Sequence, residues 1–141
     1  MYIQKGVSSA YPFLAVVMTG RYPVPKVMIV DDDRNTVKLL QTLLELDGFV
    51  VVVAGRGADV LPVAEQAKPD LFLMDYHLAD MDGVDVVREL RKTEAFAKTP
   101  SVMASGLDVE IEAKDAGVDH FMIKPFEPSD LAPLFNKLMG I

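Results

Sequence analysis

The apolar run VMIV leads into Asp31-Asp32-Asp33, and the apolar run LFLM leads into Asp75. Two further runs end in polar groups: VMA in Ser105 and FMI in Lys124. A buried run that delivers a charge at its end pays a desolvation penalty of several kcal/mol unless a partner meets that charge. Two carboxylates about 4 Å apart repel by roughly 4 kcal/mol at an effective dielectric near 20, so aspartates gathered in one place call for a divalent cation. The donors are hard oxygens, the chain has no cysteine, and its 2 histidines form no ligand pair by spacing. This set points to Mg²⁺ rather than Zn²⁺. With such an ion beside it, Asp75 can act as a nucleophile toward phosphorus and form an aspartyl phosphate. Lys124 and Ser105 would then contact the phosphoryl oxygens, one as an ammonium and one as a hydroxyl.

This chemistry requires one element to carry each run to a common edge. From Lys26 onward, short apolar runs alternate with segments of helical period. The runs are Val27 to Val30, Phe49 to Val53, Leu71 to Met74, Val102 to Ala104 and Phe121 to Ile123, each expected as a buried parallel strand. The clearest helix is expected over Asn35 to Leu46, where Val37, Leu40, Leu43 and Leu44 share a face and Gly48 follows as a stop. Another is expected to start with Asp82 as its N-cap and to carry Val84, Val87 and Leu90. Pro62 and Pro133 fall inside periodic segments, and each either opens its helix in the first turn or kinks it. Five such alternations imply a doubly wound α/β domain, a five-stranded parallel sheet with helices on both faces and chemistry at the carboxyl ends of the strands.

The length of 141 residues suits about one domain with a real core. With 21 acidic against 14 basic residues, the formal charge of −7 argues against direct contact with nucleic acid. The lack of cysteine is compatible with a reducing cytoplasm, which is the expected location. Near the N-terminus, Phe13 to Met18 is too short to cross a membrane and lacks a clean signal-cleavage pattern. Pro12, Gly20, Pro23 and Pro25 mark residues 1–25 as an extension or linker before a domain over 26–141. Residues 1–22 are accordingly expected to be dispensable for the fold.

Residues 26–141 resemble the receiver domain of two-component response regulators through VMIVDDD, LFLMDYHLADMDG, VMAS and FMIKPF, in that order. The resemblance implies the flavodoxin-like strand order 2-1-3-4-5. It makes Asp75 the phosphoacceptor, Asp31 and Asp32 the acidic pair serving Mg²⁺, and the backbone carbonyl of His77 the remaining protein ligand to the metal. By the same resemblance Ser105 is the switch hydroxyl, Lys124 the phosphate-binding lysine and Phe121 the aromatic that follows the switch. The implied partners are a histidine kinase or phosphotransfer protein upstream and an unidentified protein downstream, with a homodimer left open. The chain is expected to work without a membrane and, since no DNA-binding or catalytic domain is expected after Ile141, as a signalling phosphoacceptor rather than an enzyme acting on other substrates. Three departures stand out. Ala79 occupies a place where the pattern has proline, so the loop after Asp75 is expected to be less rigid. Gly106 leaves access to the phosphoryl group open. The stretch from Ser105 to Gly117 is about three residues short, so the fourth helix is expected to be shortened.

Each residue also has a plainer reading. A single aspartate at a strand end is often a turn former or helix cap, and Asp31 to Asp33 could be an N-terminal cap cluster. Ser105 and Lys124 alone could be ordinary surface groups, Phe121 ordinary core, and His77 and His120 ordinary imidazoles. The coincidence of the aspartates, Ser105, Lys124 and Phe121 on one sheet edge favours phosphoryl chemistry, whereas His77 and His120 keep the plainer reading as surface or partly buried imidazoles. A haloacid-dehalogenase-type phosphatase is the main alternative, using Asp31 and Asp33 with Ser105 and Lys124. Against it, Asn35 stands where that family has threonine or valine, the chain has no room for a cap domain, and Asp75 is left without a role. A receiver-like scaffold that binds partners without phosphorylation is a third reading.

Overall fold

In a computed structural model, residues 23–141 are described. The N-terminal expectations for residues 1–22, including the Phe13 to Met18 run, lie outside them. Five strands form one parallel sheet: β1 (Lys26–Val30), β2 (Val50–Ala54), β3 (Leu71–Asp75), β4 (Ser101–Ser105) and β5 (His120–Ile123), in the order β2-β1-β3-β4-β5. Between and after them run α1 (Arg34–Leu46), α2 (Gly57–Ala67), α3 (Gly83–Lys92), a short α4 (Glu110–Ala116) and α5 (Leu131–Met139). The strand order is thus the one the resemblance implies. The order in which strands are added reverses between β1 and β3, which opens a crevice at the carboxyl ends of those two parallel strands.

Alternation along the strands separates two cores. Met28, Val30, Val52, Phe72, Met74 and Met103 point to the face covered by α2, α3 and α4. Val27, Ile29, Val51, Leu71, Leu73 and Val102 point to the face covered by α1 and α5. Because both faces are buried, the central strands read as unbroken apolar runs, and each such side chain contributes roughly 1.5–3 kcal/mol on leaving water. β5 corrects the expectation of five buried strands. It is an edge strand with a half-exposed or exposed pattern throughout, and Ile123 keeps half its surface in solvent.

The helix ends settle what periodicity left open. Pro62 is the sixth residue of α2, inside the helix, whereas Pro133 is the third of α5 and falls in its first turn. The missing N–H therefore costs a helical bond at Pro62 and none at Pro133. In α1, Val37, Leu40 and Leu44 are buried while Leu43 is only half-buried at the margin of the stripe. Gly48 follows with φ of 93°, the left-handed conformation that favours glycine. Asp82 does precede α3, but its side chain makes no capping hydrogen bond. α4 spans 7 residues, about two turns, in line with the shortened segment.

Candidate functional site

β1 ends at Val30, and the next three aspartates divide the work. Asp31 is buried, its N–H donates to the Ala54 carbonyl at 3.2 Å, and its Oδ1 accepts the Asp33 N–H at 2.9 Å. Asp32 is exposed. Asp33 caps α1, accepting the Asn35 N–H at 3.1 Å on Oδ1 and the Thr36 hydroxyl at 2.8 Å on Oδ2. Those bonds, the Thr36 hydroxyl first, hold the Asp33 carboxyl below the usual carboxylate range. The plainer cap reading therefore applies to Asp33 and not to its two predecessors.

β3 carries Asp75 to the same edge. Its register partner on β4 is Ala104, and the following N–H, that of Tyr76, donates to the Ala104 carbonyl at 3.0 Å. Close packing holds the strand end here. A Cβ on Gly83, the first residue of α3, would run into the Asp75 backbone carbonyl and the Met74 side chain, so only glycine lets α3 begin this near. The Lys124 Nζ donates to Asp75 Oδ1 at 2.9 Å, a pair largely shielded from solvent on the aspartate side. Lys124 reaches it from just beyond β5, where its own N–H donates to the Ser105 carbonyl at 2.8 Å. The Lys124–Pro125 peptide is cis.

Carboxylate oxygens of Asp31, Asp32 and Asp75 lie within 4.8 Å of one another. Burial pushes the Asp31 carboxyl above its usual range; the Asp33 N–H opposes this, the charge of Asp75 adds to it, Lys124 relieves it and Asp32 adds further. Three hard oxygen donors beside the Lys124 ammonium fit a Mg²⁺-sized cation, which would stabilise all three charged forms together. A recess of about 460 Å³ opens beside Asp31 and Asp32, with Arg34, Lys38 and Arg56 on its wall.

Ser105 is buried, and its Oγ accepts the Leu107 N–H at 3.1 Å, leaving the hydroxyl proton available for donation. Phe121 is half-buried and packs against the core under α2, α3 and α4. His77 lies in the loop after β3, its backbone paired in an isolated antiparallel bridge with Asp82 and its ring largely exposed. His120 is half-buried on β5, away from the aspartates in the register. Sequence reading missed two other groups around the site. The Tyr76 hydroxyl donates to the Glu112 carboxylate at 2.9 and 3.0 Å, joining the residue after Asp75 to α4. Asp80 binds two amides at the start of α2. Neither has a local signal, since each partner is more than twenty residues away.

A parallel sheet in this order, with carboxylates and a lysine converging at its strand ends, defines a protein of the flavodoxin-like class whose site suits phosphoryl chemistry. Within that class the chain belongs to the response regulator receiver domain family, whose model matches residues 27–136. It is 36% identical over 109 residues to the alkaline phosphatase synthesis transcriptional regulatory protein PhoP of Bacillus subtilis, covering 75% of this chain and 45% of that protein. It is 33% identical over 116 residues to the transcriptional regulatory protein PrrA of Mycobacterium tuberculosis, covering 82% of this chain and 50% of the relative. The chain thus spans about half the length of these curated relatives. Among solved structures, a response regulator from Chloroflexus aurantiacus superposes with a TM-score of 0.79 at 26% identity, covering 84% of this chain and 99% of that one.

Proposed function

We propose that this receiver domain, residues 26–141 behind an extension over residues 1–25, takes a phosphoryl group onto Asp75 from a phosphohistidine on a kinase or phosphotransfer protein. An Asp75 carboxylate oxygen attacks phosphorus, the P–N bond breaks, and the imidazole departs and takes up a proton from solvent. The pairing of Lys124 with Asp75 at 2.9 Å carries this reading. It keeps a fixed positive charge where phosphoryl oxygens arrive, which stabilises charge spread over them in the transition state. Asp31, Asp32, Asp75 and the His77 backbone carbonyl would hold Mg²⁺, which supplies further charge neutralisation when bound. Once phosphate is on Asp75, the Ser105 hydroxyl turns to donate to it and Phe121 moves further into the core beside it. The surface of α4, β5 and α5 changes with that movement and is read by a downstream protein in the cytoplasm. The acidic charge supports a protein rather than nucleic acid as what the receiver itself contacts. Its chemistry is confined to its own phosphorylation and dephosphorylation.

The capping of α1 by Asp33 weighs against the phosphatase alternative, because a carboxylate engaged with Asn35 and Thr36 is not presented to a substrate. Intact mass after incubation with acetyl phosphate, with and without EDTA, tests the proposal. One phosphoryl adduct that needs the metal and is lost in Asp75→Asn is expected. An adduct that persists in Asp75→Asn, or moves to Asp31, would sink it in favour of the phosphatase. Hydrogen exchange with beryllofluoride tests the switch: protection changes confined to the vicinity of Asp75, never reaching residues 105–126, would reduce the protein to a phosphate sink or scaffold.

A further inference from the structure

The loop from Tyr76 to Asp82 follows β3 directly after Asp75, and Ala79 gives it no ring to stiffen it. Its own bonds close it across the base: the Leu78 N–H donates to the Met81 carbonyl at 3.1 Å, and the Gly83 N–H to the Tyr76 carbonyl at 2.6 Å. Tyr76 and Leu78 are buried in the core at the start of the loop, and Asp80 ties its far side to α2. Asp80 Oδ1 accepts the Gly57 N–H at 2.8 Å and its Oδ2 the Ala58 N–H at 2.9 Å.

The two amides are the first of α2, and a helix leaves its first N–H groups without internal partners. Arg56 holds the cap position in extended conformation but makes no side-chain cap bond, so the cap comes from Asp80 on another loop. Both bonds are charge-assisted, and with the Ala58 N–H first they hold the Asp80 carboxyl below its usual range. A second contact fixes the same junction. The Met81 side chain lies against Gly57 so closely that a Cβ there would collide with it. Asp80 and Met81 together thus dock the loop on α2 from two successive residues.

We propose that Asp80 is a positioning residue of the metal site, pinning the loop to α2 so that the His77 carbonyl is held for Mg²⁺ before the ion arrives. The proposal rests on the reading of Asp31, Asp32, Asp75 and His77 as the ligand set. Pre-organisation matters because a loop that must be ordered on binding subtracts its entropy from the affinity. Partners that orient a metal ligand without touching the metal typically change affinity by about 10- to 100-fold when removed.

The test is a Mg²⁺ titration of the full chain, followed by amide NMR shifts of residues 75–83, for wild type, Asp80→Ala, Asp80→Asn and the double variant Arg56→Ser/Asp80→Ala. Asp80→Ala is expected to weaken Mg²⁺ about tenfold and to deprotect the Gly57 and Ala58 amides in hydrogen exchange. Asp80→Asn keeps one acceptor oxygen, should fall between, and serves if the alanine variant does not fold. In the double variant a serine at the extended cap position supplies α2 with a cap but leaves the loop untied. Stability should return there while Mg²⁺ affinity stays low. Wild-type affinity in Asp80→Ala, or affinity restored together with stability in the double variant, would overturn the proposal and leave Asp80 as a helix cap only. Failure of the ligand-set reading looks different: wild-type Mg²⁺ binding would then be insensitive to Asp31→Asn.

Discussion

Asp31→Asn is expected to stabilise the metal-free protein while disabling its metal site. Asparagine preserves the shape and keeps an oxygen for the Asp33 N–H, so the substitution removes charge and little else. Two unit charges separated by the 4.8 Å that bounds the cluster repel by about 3.5 kcal/mol at an effective dielectric near 20. Lys124 already offsets part of the Asp75 charge, and water screens exposed Asp32, so about 1–2 kcal/mol is the realistic gain. For a domain of this size that corresponds to a rise of about 5 °C in Tm. The pH dependence has a definite sign. The folded-state pKa of Asp31 is raised, so its favourable contribution is fully present only below the unfolded value near 4 and is lost as pH climbs through the folded value. The advantage of the variant should therefore be largest at neutral pH in EDTA and shrink as pH falls toward 4. Mg²⁺ should reverse the order, since at a hundredfold excess over Kd a bound ion adds about 2.7 kcal/mol to the wild type. Thermal unfolding in EDTA and in MgCl₂ over that pH range measures all of this. A variant that melts below wild type in EDTA at neutral pH, or a gap that does not change with pH, would refute the electrostatic reasoning.

Three further outcomes are expected. Gly83→Ala would force a Cβ against the Asp75 carbonyl and should cost about 3 kcal/mol, seen as a urea midpoint lower by about 1–2 M. Arg91 donates to the carbonyls of Phe96, Thr99 and Gly117, the Ser101 hydroxyl and the Asp119 carboxylate, so Arg91→Met should lose about 3 kcal/mol or more in urea unfolding by removing the donor they share at the amino end of β4. The hydrogen bond to Glu112, followed by burial, raises the Tyr76 phenol above its usual range, so Glu112→Gln should lower that pKa in an NMR titration of the ring. By linkage, any stability advantage of wild type over Tyr76→Phe should hold below about pH 10 and be lost as pH rises through the folded-state value.

Much of the fold, and the meeting of Asp31, Asp32, Asp75 and Lys124 at one sheet edge, were legible in the sequence because the signals involved are local. The run LFLMD is apolar for as long as β3 is buried and turns acidic where the strand emerges, so burial period and strand end lie in consecutive residues. The same holds for VMIV before Asp31 and, less completely, for FMI before Lys124, whose strand proved to be a half-exposed edge. Strand order was not local; it entered through resemblance, since an apolar run carries no mark of which neighbour it will pair with. Tertiary structure alone decided how identical residue types divided their tasks. Asp31 and Asp33 stand two apart in one acidic triplet, yet the start of α1 takes Asp33 as its cap and leaves Asp31 beside Asp75. Asp80 reads as one more loop aspartate until α2 arrives with two unpaired amides and an arginine at its cap position. Pro62 and Pro133 looked alike by pattern and differ only because packing begins one helix five residues ahead of its proline and the other two. Periodicity follows from the backbone geometry of a single element, whereas a hydrogen-bond or ion-pair partner is chosen by what the sheet brings within about 3 Å across dozens of residues of chain.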